Sequence, residues 1–267
     1  MGDVPSTLDP IAPPRLAACS FGTGAGEQWP RLARVLAATA AHHCPHWSRS
    51  IVALPVPPPI RRAGVTAAYG HNAHKTAWWA ARVAEAPTGT RLLLVDVDLM
   101  ILQPLDALWA EPFDLAYTVR TAARFPFNAG VVAVRVSDPI RAFMRRWDEM
   151  CLTLLGDPLL HLRYRRLYGG LAQAALGAVL EGHAPSLTMR TLPCAEWNCE
   201  DSAWRNFDPA RTRIVHVKSG LRRAIFCGAP APPPLRPLIT LWRRLEQASL
   251  AAAAPAASAA TGPQVSA

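Results

Sequence analysis

Leu92-Leu93-Leu94-Val95-Asp96-Val97-Asp98 is four apolar residues running straight into two carboxylates. An unbroken apolar run of this kind reads as a strand covered on both faces, which is the signature of a parallel sheet inside an α/β fold. In open α/β sheets the ligand crevice lies beyond the carboxyl ends of the strands, so the two acids fall where such a fold carries its chemistry. Residues i and i+2 of an extended chain point to one side, so Asp96 and Asp98 can face a common volume while Val97 faces the opposite layer. Two anions held together repel. A hard divalent cation, Mg²⁺ or Mn²⁺, removes that repulsion and suits carboxylates that share the metal with a diphosphate. The arrangement suggests nucleotide-sugar binding, although a three-residue motif read by itself serves equally as a turn or a helix N-cap.

On the N-terminal side, Leu16 to Phe21 is a short apolar run that ends in Gly22-Thr23-Gly24-Ala25-Gly26, and a helical pattern follows from Trp29 to Ala41. A second apolar run, Ser50 to Val56, stops at Pro57-Pro58-Pro59, and Ala73 to Ala84 has a helical pattern ahead of Pro87-Thr88-Gly89. On the C-terminal side, Val131 to Val136 reads as another buried strand, Pro139 to Leu155 as a helix, and a further helix starts near Gly170 and carries Gln173. A late strand spans Arg213 to His216. Strands alternating with helices indicate a Rossmann-like α/β fold with a mainly parallel central sheet flanked by helices. Residues 1–14 and 248–267 are Pro- or Ala/Pro/Ser-rich and are expected to be disordered, leaving one domain over 15–247.

Composition narrows the function classes. A chain of 267 residues buries about 70 to 75% of its unfolded surface, so neither a disulfide nor a metal is required to hold a core. With 51% hydrophobic and 18% charged residues, the chain is neither wholly disordered nor a membrane-spanning bundle, and no apolar run reaches the ~18 residues of a membrane helix. The start of the sequence lacks a basic region followed by an apolar one, and six cysteines occur without a C-x-x-C pair; both features fit a cytoplasmic location with reduced thiols. The 28 Lys and Arg against 19 Asp and Glu give a net charge of +9. Its arginines are dispersed in short runs rather than striped with aromatics, so nucleic acid is not the expected partner. Small phosphorylated ligands, or peripheral contact with an anionic membrane, fit the charge as well.

Several separated motifs resemble, in order, the nucleotide-diphospho-sugar glycosyltransferases of the GT-A fold. The resemblance is to the retaining group that includes glycogenin and the bacterial lipopolysaccharide galactosyltransferases. Leu92 to Leu105 is similar to that family's strand, Asp-x-Asp and following segment. Phe127-Asn128-Ala129-Gly130-Val131 resembles its Phe-Asn-Ser/Ala-Gly-Val motif, and Gly169 to Leu176 its Asp-Gln-x-x-Leu helix. Leu192-Pro193 with Trp197-Asn198 resembles its Leu-Pro…Trp-Asn segment, and Ile214-Val215-His216 its late strand ending in a metal-binding histidine.

The resemblance implies a metal-dependent transfer of a sugar from a nucleotide-diphosphate sugar, UDP by preference, to a carbohydrate, lipid or protein acceptor, with retention of configuration. It implies Asp96, Asp98 and His216 as ligands of Mn²⁺ or Mg²⁺, with Asp96 also meeting the ribose, and Asn128 and Ala129 as donor-sugar contacts. The family's glycine and lysine after the histidine hold the diphosphate; this chain has Ser219 and Arg222 at those spacings, with Lys218 as a second cation. Gln173 falls near the sugar's anomeric carbon, but Ala172 replaces the adjacent Asp. The candidate catalytic residues are therefore Asp98, Asn128 and Gln173, and Phe21, Thr23 and Lys75 join the candidate substrate-binding set. Two other readings stay open: a nucleotidyltransferase built on the glycine-rich turn, which lacks a basic residue for a triphosphate, and a catalytically silent nucleotide-sugar-binding module, to which Ala172 points.

Some conspicuous residues have plainer explanations. His42, His43, Cys44 and His46 crowd together where a helix should end, an ordinary place for histidine. Trp78, Trp79 and Trp147 fall in helical patterns and read as core, and Cys194 and Cys199 as buried thiols. The Arg163-Tyr164-Arg165-Arg166 run reads as a solvated surface or a contact for an anionic acceptor.

Overall fold

The computed structural model describes residues 12–22, 28–58, 67–121, 125–182, 187–201, 203–230 and 233–253. Its strands are β1 Arg15–Phe21, β2 Ser48–Leu54, β3 Arg91–Asp96, β4 Leu99–Ile101, β5 Leu115–Val119, β6 Phe127–Arg135, β7 Met189–Pro193 and β8 Ile214–His216. Its helices are α1 Gln28–His43, α2 Ala67–Glu85, α3 Asp138–Gly156, α4 Pro158–Tyr168, α5 Leu171–Gly182, α6 Cys194–Trp197, α7 Ser219–Phe226 and α8 Arg236–Ala253. Six strands form one sheet in the order β2-β1-β3-β6-β5-β7, and β4 pairs with β8 in a small second sheet. Within the large sheet only β6 runs against its neighbours, so the sheet is mostly parallel.

The apolar run of β3 is buried because it packs both ways. Leu92 and Leu94 join a core cluster with Trp79 of α2 and Trp147 of α3, while Leu93, Val95 and Val97 join Leu36 and Ala40 of α1 on the opposite face. A third cluster, around Trp242 of α8, closes over α1, β8 and α7. The chain passes from β1 through α1 to β2 on one side, then through α2 to β3 on the other. The crevice of such a fold therefore lies between the carboxyl ends of β1 and β3.

Four differences from the sequence reading have physical causes. First, β6 begins at Phe127 rather than Val131 and runs antiparallel. Its register against β5 jumps from Tyr117↔Val132 to Thr118↔Asn128, so residues 129–131 bulge from the ladder. Second, α4 occupies a stretch with no expected helix: the Asp157 side chain accepts from Leu159 and Leu160 N–H, Pro158 opens the first turn, and Gly169 ends it at φ +96°. Third, the chain already bonds to the sheet just before Arg15, since Pro14 C=O accepts from Ser48 N–H and Ala12 C=O from Arg91. Fourth, α8 continues past residue 247 to Ala253, where alanine favours the helix and buried Ser249 bonds back to Glu246 C=O. The stretches 1–11 and 254–267 and most of the glycine-rich turn, Thr23 included, lie outside the described residues. No helix among the described residues is long and apolar enough to cross a membrane.

Candidate active site

Backbone pairing brings the late histidine to the two aspartates. Leu99 of β4 sits opposite His216 of β8, and Val217 N–H donates to Asp98 C=O at 2.7 Å. His216 Nε2 then lies 3.2 Å from Asp98 Oδ1 and 3.8 Å from Asp96 Oδ2. One ligand atom from each of the three residues falls within 4.8 Å of the others, the single such group among the described residues. The His42 to His46 cluster forms no comparable set: His46 pairs with Asp106, and Cys44 is buried.

The histidine's tautomer follows from a buried relay. Thr118 Oγ1 donates to Asn128 C=O at 2.8 Å, so it can only accept from Asn198 Nδ2 at 3.0 Å. That orients Asn198 with its Oδ1 toward His216 Nδ1 at 2.9 Å, where it accepts the ring N–H. Nε2 is thereby turned on two carboxylates, a geometry that needs a positive charge between them, either a proton on Nε2 or a metal ion. A divalent cation fits this donor set of one imidazole nitrogen and two carboxylates, with Asn198 as the outer partner that holds the ring.

Each acid also has a cation. Lys75 Nζ of α2 bonds Asp96 Oδ1 at 2.5 Å and rests 4.4 Å from the Trp79 ring centroid. Arg222 of α7 bonds Asp98 Oδ2, donates to Val217 C=O at 3.0 Å, and stacks over Trp29 at 4.9 Å. Burial pushes the Asp98 carboxyl upward, but His216 and Arg222 overcome it and hold the group well below the usual carboxylate range. These charges line a cleft of about 250 Å³ together with Ser20, Phe21, Trp29, His71 and Asn72. Phe21 and His71 stack, with ring centroids 4.9 Å apart and an interplanar angle of 6°. Cys19 also lines it, but burial raises its thiol to about 12, so it is a neutral wall and not a nucleophile.

The remaining candidates separate. Asn128 is buried, its Oδ1 accepts from Gly130 N–H at 2.8 Å, and its Nδ2 has no protein partner. Ala129 sends its side chain into the apolar cluster of α2, α3 and α5, leaving its backbone for any ligand. Gln173 donates both amide hydrogens, to Phe127 C=O at 3.0 Å and Tyr168 C=O at 2.8 Å, which leaves its carbonyl oxygen as an acceptor. Ala172 is buried in the same apolar cluster. Lys218 does not reach the cleft lining: it is drawn 2.9 Å from Glu200 Oε2, a buried carboxylate also bound by Arg120 at 2.8 Å. Arg222 is thus the loop's cation in the cleft. Ser219 takes φ +44°, a left-handed conformation that suits the glycine of the resembling motif.

Sequence reasoning gave no role to Asn198, Thr118, Gly130, Trp29 or His71. Asn198 and Gly130 lie inside the Trp-Asn and Phe-Asn-Ala-Gly-Val motifs, and only the fold shows what they touch.

This sheet order, a mostly parallel six-stranded sheet flanked by helices, is that of the GT-A fold. Among solved structures it is similar to a glycosyltransferase involved in glycosylation of the major capsid of PBCV-1, at 13% identity over 79% of this chain and 97% of that one, TM-score 0.54. It is also similar to the galactosyltransferase LgtC, solved with donor and acceptor sugar analogs, at 12% identity over 88% and 95% of the two chains, TM-score 0.53. The glycosyltransferase GlyE of Streptococcus pneumoniae TIGR4 matches at 12% identity and TM-score 0.53, the match covering 90% of this chain and 64% of GlyE. Identities this low carry the fold and not the activity. No protein-family model and no curated protein matches the sequence.

Proposed function

We propose that the chain is a metal-dependent glycosyltransferase that moves a sugar from a nucleotide-diphosphate sugar, UDP by preference, to an acceptor. The observation that carries this reading is the Asp96, Asp98 and His216 group, whose two acids line a cleft where the other charged residues are Lys75 and Arg222. The two acids and two cations cancel, so a bound divalent ion leaves the site positive by two charges, matched to a diphosphate. Mn²⁺ or Mg²⁺ held by the three residues would supply charge stabilisation for the leaving phosphate.

The chain's own groups divide the rest of the work. Arg222 is positioned to stabilise negative charge that grows on the leaving group, which lowers the barrier because it acts more strongly in the transition state than in the ground state. Phe21, His71 and Trp29 offer aromatic surface for a base. Asn128 Nδ2 offers an unsatisfied donor and Gln173 an acceptor for sugar hydroxyls. Among the described residues lining the cleft, the carboxylates are Asp96 and Asp98, and both are already bound to cations. That favours front-face attack with retention, the leaving phosphate accepting the acceptor's proton, over an inverting route that needs a free general base.

The test is hydrolysis and transfer with a panel of UDP- and GDP-sugars, with and without Mn²⁺. Asp98→Asn is expected to lower turnover by at least a hundredfold, and Asn198→Leu to raise the Mn²⁺ requirement about ten- to a hundredfold by freeing the imidazole. Metal-independent turnover, or full turnover in Asp98→Asn, overturns the proposal. Donor binding without turnover on any acceptor or water identifies a silent binding module instead.

A further inference from the structure

The cleft does not use α4, which has unusual exposure for a helix of a folded domain. Its inward face is Leu160, His161, Tyr164 and Tyr168, packed toward the core of α2, α3 and α5 and toward Tyr69, Phe127 and Glu181. Its outward face, at three- and four-residue spacing, is Leu159, Leu162, Arg163 and Arg166, joined by Leu167. Leu159 is 80% exposed, Leu162 43% and Leu167 49%, and Leu152 at the adjacent end of α3 is 59% exposed. Four of the seven large apolar side chains that are exposed among the described residues therefore gather here. Arg163, Arg165 and Arg166 are all exposed, and α4 itself carries no acid. Of the acids nearby, Asp157 caps the helix and Glu181 accepts from Tyr168 Oη, leaving partly buried Asp148 and exposed Glu149 on α3.

We infer that α4, with the end of α3, is a docking surface for an anionic lipid bilayer. Leucines standing clear of the surface gain by entering the boundary between headgroups and acyl chains, and arginines among them meet lipid phosphates with forked hydrogen bonds. Charge complementarity selects this occupant: a helix with three exposed arginines repels a second copy of itself laid against it. A cavity of about 420 Å³ lies on the same side, lined by Tyr69, Phe125, Leu162, Arg165 and Arg166 and floored by residues 169–170, with room for a phosphate-bearing headgroup. It adjoins Gln173, since a Cβ on Gly169 would sit 3.3 Å from Gln173 Nε2. The inference rests on α4 and stands whether or not the cleft transfers sugar.

The experiment is co-sedimentation of the full chain with phosphatidylcholine vesicles that contain or lack phosphatidylglycerol, at low and raised salt. The wild type is expected to pellet with the anionic vesicles only, and less as salt rises. Leu159→Ser with Leu162→Ser, and separately Arg163→Gln with Arg166→Gln, are each expected to weaken binding at least tenfold. Each replaced arginine accounts for about fivefold. Leu250→Ser, on the exposed end of α8, leaves binding unchanged. All replaced side chains are exposed, and circular dichroism verifies that the variants fold. No pelleting with anionic vesicles, or pelleting by both double variants equal to that of the wild type, overturns the inference. So does a concentration-dependent dimer in ultracentrifugation that the leucine variant abolishes while vesicle binding persists, since the occupant is then a second copy.

Discussion

A Cβ on Gly130 would lie 2.8 Å from His216 Cε1 and 3.0 Å from both Asn128 Oδ1 and Asp96 Oδ2. The imidazole and the Asp96 carboxylate belong to the candidate metal group and Asn128 is their neighbour, so the absence of a side chain at Gly130 leaves room for them to converge. The requirement is space and not backbone freedom, because Gly130 is not among the glycines with positive φ. The β6 bulge is what aims the residue there, between Asn128, whose Oδ1 its N–H meets, and Val131 in the core. Gly130→Ala is therefore expected to push the imidazole or the Asp96 carboxylate aside. The fold should survive, at a cost of about 1 to 3 kcal/mol for overpacking, while thermal stabilisation by Mn²⁺ with UDP is lost. Unfolding curves with and without those ligands separate the two effects. A variant that keeps its ligand-dependent shift in Tm would show that the crowding is relieved without disturbing the metal-binding group.

Between β8 and α7 the chain turns on Ser219, the first residue of its helix, in the left-handed region at φ +44°. A side chain there costs about 1 kcal/mol. Ser219→Gly is expected to raise stability by about 0.5 kcal/mol, the relief being partly offset by the greater freedom glycine has in the unfolded chain. Ser219→Val should lower it by more than 1 kcal/mol, since a β-branched residue tolerates this region poorly. Urea unfolding reads both, and equal stability of the three proteins would place the turn in another conformation. This turn also marks how far the sequence could be read. Asp96 and Asp98 were legible because a fully buried strand leaves carboxylates conspicuous at its end. The approach of His216 was not legible from local pattern, because the β4–β8 pairing joins segments more than a hundred residues apart, and only the resemblance pointed to it. Strand direction escaped for a related reason: β6 is buried on both faces, and a continuous apolar run looks the same parallel or antiparallel. The helix α4 had its Asp157-Pro158 start and Gly169 stop in plain view. Its inward face is Leu160, His161, Tyr164 and Tyr168 while Leu159, Leu162 and Leu167 face outward, so no aliphatic stripe at helical period announced it.

At the scale of the molecule, the cleft depends on a helix far from it in sequence. Trp29, at the start of α1, lines the cleft and lies under Arg222, and two residues on, Arg31 is gripped by Glu246 of α8. The grip is two-pronged: Arg31 Nε bonds Glu246 Oε1, and its Nη2 bonds Oε2 at 2.9 Å. Trp242, buried one turn earlier, also donates to Glu246 at 3.3 Å. The Arg31 hydrogen bond, against an opposing push from burial, holds the Glu246 carboxyl below its ordinary 4.5. A carboxylate whose folded value is depressed contributes stability that is complete above the unfolded value and disappears as pH falls through the folded one. The pair should therefore add about 1 to 2 kcal/mol at neutral pH, toward the modest end because Arg31 is partly open to water. Glu246→Gln is expected to be less stable than the wild type by that amount near neutrality, and the gap should narrow as pH drops below 4.5. Urea unfolding of both proteins across that range measures the gap directly. If it stays constant through the acid range, Glu246 is not ionised by Arg31, and α8 is held on α1 by the apolar cluster around Trp242 alone. If it closes as expected, the charge on α8 helps to set where Trp29 stands in the cleft, and donor affinity should fall with stability in Glu246→Gln.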